Sequence, residues 1–257
     1  MRDLPLLVLL LAIGFLLLWL LQRHTNNASW ADAGWALAVG LVMLWWLASG
    51  QGDTGRRWLA GSVVGLWSAR LSLHLWHRAW NSTEDGRFQD LRREWGARAQ
   101  RNFLRYFLFQ VPLVLVFALP AAALAQDGRP LAARDMVAML VAITGLAGVS
   151  IADGQLRRHR RVDAGEVCRR GLWRYSRHPN YFFEWVFWCA WPFMAPLSAR
   201  GLLAWVTPIA AYFLLTRITG IPPAERRALV RRGDDYRRYQ AQTSLFFPRS
   251  PKVRKRT

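Results

Sequence analysis

Long stretches without charge alternate along this chain with segments packed with arginine, a pattern that suits a bilayer better than a soluble core. Crossing a hydrocarbon layer of about 30 Å takes roughly 20 apolar helical residues, each rising about 1.5 Å. Seven stretches qualify, running approximately from Leu4 to Leu21, Trp30 to Ser49, Trp58 to Trp80, Phe103 to Ala125, Met136 to Ala152, Tyr181 to Ser198 and Gly201 to Ile221. The first closes on Gln22-Arg23-His24 without a small-residue cleavage site, so it reads as an anchor and not as a cleaved signal peptide. Trp30, Trp58 and Trp80 at span edges fit an interfacial aromatic belt. The pattern predicts an all-α, polytopic membrane helix bundle of about seven transmembrane helices in one membrane domain, with an N-terminal part over 1–130 and a C-terminal half over 131–257.

Composition sharpens this reading. A chain of 257 residues that is 53% hydrophobic and holds 15 Trp is neither disordered nor a small disulfide scaffold, and its two Cys, Cys168 and Cys189, are too few for a four-thiolate zinc site. The net charge of +19 would point to nucleic acid in a soluble domain. Here the arginines lie between apolar spans, where topology and anionic headgroups explain them, so the expected partners are membrane lipids and no nucleic acid.

Charge also orients the chain. With seven spans, the side holding the N-terminus carries 6 of the 35 basic residues, the opposite side 25, and Arg70, Arg78, Arg105 and Arg217 fall inside spans. The positive side faces the cytoplasm, which places the N-terminus outside and the C-terminus inside. Arginine outnumbers lysine 33 to 2, the signature of a GC-rich bacterial source and hence of an inner membrane. The closing run from Pro248 to Thr257 reads as a mobile, lipid-facing tail.

One nucleotide motif is rejected. Gly50-Gln51-Gly52-Asp53-Thr54-Gly55 matches the dinucleotide glycine fingerprint, but a membrane helix leads into it where that fingerprint needs a strand, and Asp53 would repel a pyrophosphate. A flexible turn is expected there.

Chemistry concentrates further along. Glu184 is a carboxylate one turn inside a span, where an acid needs a partner or a cavity, and Asn180 shares its helical face four residues earlier. An amide and a carboxylate so placed offer complementary hydrogen bonds to a carboxamide. In the third span Arg70, His74, His77 and Arg78 form one polar stripe, expected to face the bundle or a polar cavity and not lipid. No metal is expected, since His74 and His77 lack further ligands nearby.

The run Gly171-Leu172-Trp173-Arg174-Tyr175-Ser176-Arg177-His178-Pro179-Asn180-Tyr181, followed by Glu184, resembles the C-terminal signature of steroid 5α-reductases and their bacterial relatives. Asp153 with Gln155-Leu156, Gly220-Ile221-Pro222, Glu225, Tyr236, Tyr239, Thr243 and Phe247-Pro248 are similar to the flanks of that pattern. The resemblance implies an NADPH-dependent reductase of a carbon-carbon double bond conjugated to a carbonyl, acting on a lipophilic substrate such as a sterol, isoprenoid or acyl chain. It makes the N-terminal helices the lining of a substrate cavity and the C-terminal half the cofactor domain. Asn180 and Glu184 become the nicotinamide contacts, Arg160, Arg174 and Arg177 the phosphate contacts, Asp153 the acid on the nucleotide, and Tyr175, His178, Tyr236 and Tyr239 further cofactor neighbours. Enone reduction needs a proton donor as well. The animal steroid enzymes use a tyrosine where this chain has Leu75, which cannot donate, so His74, His77 or Tyr106 is the expected replacement. Glu84-Asp85-Gly86-Arg87-Phe88 resembles a family loop motif, which implies a segment that closes over the cofactor; the other reading is an exposed charged loop. The alternative is an S-adenosylmethionine-dependent methyltransferase of the isoprenylcysteine carboxyl type. Those enzymes share the Arg-His-Pro-x-Tyr core and a closing Tyr-x-x-Tyr, but usually carry a Gly where Phe183 stands and a double Glu where Glu225 stands alone.

Overall fold

The computed structural model describes residues 4–163 and 165–251. Among them every regular element is helical, and the sole extended pairing is an isolated bridge between Ser176 and Ser244. The chain divides into two compact units, Met1–Leu131 with Ala195–Val206, and Ala132–Met194 with Thr207–Thr257.

The first unit contains α1 (Leu4–Thr25), α2 (Trp30–Ser49), α3 (Thr54–Asn81), α4 (Gly86–Trp95) and α5 (Ala99–Leu124). On α1, Leu6, Leu9, Leu10, Leu17 and Leu20 are exposed, as an outer helix in lipid requires. The interior forms where α2 packs on α3 and α5, around Val39, Met43, Val64, Trp67, Val114 and Phe117. Trp30 is buried edge-on against Trp76 and Trp80, with ring centroids 5.0 and 6.1 Å away, so it is a core residue and not part of the expected belt.

Five helical segments are long and apolar enough to cross a membrane: Leu4–Thr25, Trp30–Ser49, Gly86–Leu124, Ala133–Val162 and Leu203–Gln242. Two of the seven expected stretches, 58–80 and 181–198, fall outside this set. The third expected span is a continuous helix of 28 residues, but Arg56, Arg57, Arg70 and Arg78 dilute its apolar character. Arg70 and His74 are half-buried there, whereas His77 and Arg78 are exposed and Arg78 pairs with Asp85, so only part of the polar stripe turns inward. The sixth expected span is broken in two, as the second unit shows below.

The glycine-rich turn is packed and not flexible. Gly52 and Asp53 donate their N–H groups to the Ala125 and Asp127 carbonyls at 2.9 and 2.8 Å, and the Asp53 carboxylate caps α3 by accepting from Arg56 N at 2.8 Å. Beneath it Arg56 is wholly buried, paired with Asp127 at 3.0 Å and donating to the carbonyls of Arg129 and Pro130. A Cβ at Gly50 would stand 2.1 Å from the Ala125 carbonyl oxygen, although its φ of −72° suits any residue, so the cost of Gly50→Ala is steric. The expected loss is about 1–3 kcal/mol, the range for overpacking, read as a lower melting temperature in detergent.

The loop motif at Glu84 is likewise held in place. Its carboxylate accepts from Ala28 N at 2.8 Å and pairs with Arg92 at 2.6 Å, while Asp85 caps α4 through Arg87 N at 2.8 Å. The segment is tied to the α1–α2 connection and starts a helix, so it is neither a free lid nor an exposed charged loop.

The second unit begins with α6 (Ala133–Val162), followed by a 3₁₀ turn at Gly171–Arg174, α7 (Pro179–Trp188) and α8 (Trp191–Met194). Pro179 occupies the first turn of α7, where its missing N–H costs nothing. The helix stops at Cys189, so the sixth expected span is pieces of 10 and 4 residues. Next come α9 (Leu203–Phe213), which belongs to this unit from Thr207 onward and continues into a π-helical turn at Leu214–Ile218, and α10 (Ile221–Gln242), kinked at Gly233. The apolar stretch ends with the π turn. Six arginines on α10 place that helix outside the membrane-crossing part.

Candidate functional site

An antiparallel seam between α6 and α7 builds the site. Gly145 and Gly148 let the helices touch: a Cβ would lie 2.6 Å from the Phe187 backbone N at the first and 2.2 Å from the Phe183 ring at the second. Following the seam outward, Asn180 of α7 reaches Asp153 of α6, its Nδ2 donating to Oδ1 at 3.3 Å. Asn180 Oδ1 accepts from Tyr181 N at 3.0 Å. Glu184 lies one turn deeper on the same face of α7 and is half-buried. Beyond Asp153, the Trp173 indole donates to the Ala152 carbonyl at 2.9 Å and Gln155 Oε1 accepts from Leu172 N at 2.9 Å, which fixes the 3₁₀ turn against α6.

That turn presents Arg174 and Tyr175 to solvent, and Arg160 is exposed on the last turn of α6. Arg177 points the other way. Its Nε and Nη2 donate to the two Glu225 carboxylate oxygens, both at 3.1 Å, and its Nη1 donates to the Gln240 and Thr243 carbonyls at 2.9 and 3.0 Å. Four of its five N–H donors are thereby engaged. Glu225 also receives His178 Nε2 at 2.7 Å, the Tyr236 hydroxyl at 2.6 Å and Gln240 Nε2 at 2.6 Å. Burial pushes this carboxyl up, but the bonds from His178, Tyr236 and Gln240 outweigh it and hold it down at about 2. With Glu225 ionised, the His178 nitrogen facing it carries the proton, which fixes the tautomer.

Burial and the Glu225 carboxylate push the Tyr236 hydroxyl up, and burial does the same for Tyr239. Both stay neutral donors at physiological pH. The Tyr239 hydroxyl donates a hydrogen bond to the Trp173 carbonyl and lies 3.3 Å from that of Ser176. The C-terminal segment closes the cluster, as Arg177 N donates to Ser244 O at 2.8 Å and Ser176 Oγ to Phe246 O at 2.8 Å.

The expected cofactor residues thus fall into three groups. Asp153, Asn180 and Glu184 line the helix seam; Arg160, Arg174 and Tyr175 are exposed; and Arg177, His178, Tyr236 and Tyr239 converge on Glu225 and on backbone carbonyls. Sequence reasoning quoted Glu225 and Gln155 only as matches to family patterns and passed over Gln240. The available signal was a lone acid just after Pro222-Pro223 in a segment otherwise full of arginine.

The expected proton donors belong to the first unit. There His74 is half-buried, His77 is exposed with its carbonyl accepting from Asn81 at 2.9 Å, and Tyr106 is half-buried edge-on to Phe88, 5.5 Å between ring centroids.

Fold and site together define an all-α membrane helix bundle with polar side chains along the α6–α7 seam and a second polar cluster between the start of α7 and α10. The chain belongs to the family described as protein of unknown function (DUF1295), which matches residues 18–243. It is 27% identical over 276 residues to an uncharacterized protein of Schizosaccharomyces pombe, an alignment that covers 93% of this chain and 78% of the relative. No solved structure matches the chain.

Proposed function

We propose that this protein is a membrane-embedded reductase that uses NADPH to reduce a carbon-carbon double bond conjugated to a carbonyl in a lipophilic sterol, isoprenoid or acyl-like substrate. The observation that carries the reading is the Asp153–Asn180 pair across the α6–α7 seam, with Glu184 one turn deeper and the exposed Arg174 beside its outer end. This donor set fits a dinucleotide. A carboxamide needs one donor and one acceptor, which Asn180 and Glu184 hold on one face, while Arg174 and Arg160 offer guanidinium forks to phosphates. The resemblance to the steroid 5α-reductase signature over 171–184 supports the same choice.

In this reading Asp153 holds the Asn180 amide in register, and Arg177, His178, Tyr236 and Tyr239 act as positioning residues that pin the 3₁₀ turn and the start of α7 to α10. A bound reduced nicotinamide supplies hydride to the carbon β to the carbonyl. The residue that polarises the carbonyl is drawn from His74, His77 and Tyr106. The substrate dissolves in the bilayer, and the protein resides in a bacterial inner membrane with its arginine-rich segments and C-terminus in the cytoplasm.

The test is transfer of deuterium from NADPH labelled at the nicotinamide C4 to a membrane lipid extract incubated with the purified protein. Mass spectrometry should find the label on one reduced lipid, at the carbon β to its carbonyl. Lipid labelled instead by a methyl group from S-adenosylmethionine, with none from NADPH, would replace this reading with methyl transfer.

A further inference from the structure

Unassigned by anything above is a groove of about 350 Å³ between the π turn that ends α9 and the C-terminal segment Ser244–Arg249. None of its lining residues belongs to the proposed nucleotide site. Tyr212 and Phe247 stack along it, 6.3 Å between centroids, and Leu245 extends the apolar floor; these three side chains are all substantially exposed. At its rim stand Arg217 and Arg249, both exposed, and among the described residues neither guanidinium makes an ion pair. The backbone of Arg249 is fixed, since its N–H donates to the Tyr175 carbonyl at 3.0 Å.

Three features select the occupant. The groove lies where the apolar stretch over 203–218 gives way to the six arginines of α10, the change in composition that marks a headgroup layer. Arg217 sits inside a π-helical turn, an irregularity that re-aims side chains and recurs at functional sites. Two unpaired cations above an aromatic and aliphatic floor complement a molecule with a negative head and a hydrocarbon tail. We infer that this groove binds the headgroup of an anionic phospholipid, Arg217 and Arg249 holding the phosphate and Tyr212, Leu245 and Phe247 covering the first part of an acyl chain. Such a lipid would brace the C-terminal segment against α9.

Thermal melting of the full chain in detergent, titrated with phosphatidylglycerol, phosphatidylcholine or inorganic phosphate, tests this. Phosphatidylglycerol should raise the melting temperature more than phosphatidylcholine, and phosphate should have no effect. In the R217Q/R249Q double variant the phosphatidylglycerol midpoint should move up about tenfold or more. The R237Q/R238Q variant, which removes equal charge from α10, should keep the wild-type midpoint. Equal responses to both lipids, an equal loss in both double variants, or a stabilisation reproduced by inorganic phosphate would overturn the inference. Should R217Q/R249Q fail to fold, the three wild-type titrations still decide it.

Discussion

Replacing Glu225 by alanine is expected to destabilise the second unit by about 3–5 kcal/mol, the cost of removing one partner from a buried ion pair. The side chains of Glu225, Arg177 and His178 are 13%, 11% and 7% exposed, so water cannot substitute for the missing carboxylate. The variant strands the Arg177 guanidinium together with the His178, Tyr236 and Gln240 donors in one step. Thermal melting in detergent should show this loss, and the Tyr236→Phe variant, which removes a single donor, should lose far less. Acid gives an independent readout of the same cluster. Because the Glu225 carboxyl lies at about 2 in the folded chain against an ordinary 4.5, its contribution is complete above pH 4.5 and disappears as pH falls toward 2. That depression corresponds to about 3 kcal/mol. The wild-type protein should lose stability over this window with a steeper slope than E225Q, whose neutral amide does not titrate.

Substitution of Asn180 by leucine is expected to weaken NADPH binding by about tenfold to a hundredfold, the loss of hydrogen bonds in a partly desolvated, charged setting. Folding should survive, because the Asn180–Asp153 bond is long at 3.3 Å and leucine continues the apolar stripe of α7. A companion variant separates the two ends of the cofactor. Arg174 is exposed and, among the described residues, makes no ion pair, so R174Q should weaken NADPH more than NADH if it meets the 2′-phosphate. Fluorescence titration of the purified variants measures both effects. Unchanged affinity in N180L would remove the amide from the site.

Much of the helical frame was legible because its signal is local. The apolar runs at Leu4 and Trp30 need no tertiary information, and neither does the rejection of the Gly50 motif, which follows from the helix that precedes it. What the pattern could not give was whatever depends on a distant partner. The packing of Gly50 and Gly52 against Ala125 and Asp127 joins segments more than 70 residues apart, so a rigid turn read as a flexible one. Helix α4 lies in a stretch too charged to register as apolar, although Asp85 before Gly86 is a recognisable cap. Helix α10 was hidden in the same way behind its arginines. The interruption of the sixth expected span was hidden for a different reason: hydropathy averages over the break at Cys189, while Pro192 and Pro196 in the run were the warning. At the site, the pairing of Asn180 with Glu184 on one face followed from their spacing. The commitment of Arg177 to Glu225 did not, because an arginine in sequence looks the same whether it meets a phosphate or a carboxylate 48 residues later. The expected tail at 248–257 falls largely outside the described residues, which end at 251.

Everything proposed about activity rests on a reduced dinucleotide docking at the α6–α7 seam, and equilibrium titration of the purified wild-type protein with NADPH and, separately, with S-adenosylmethionine addresses that directly. Saturable enhancement of nicotinamide fluorescence at one site per chain, with no heat on adding S-adenosylmethionine, is the expected result. Binding of S-adenosylmethionine alone, or no saturable signal from NADPH in protein that melts cooperatively, would contradict it.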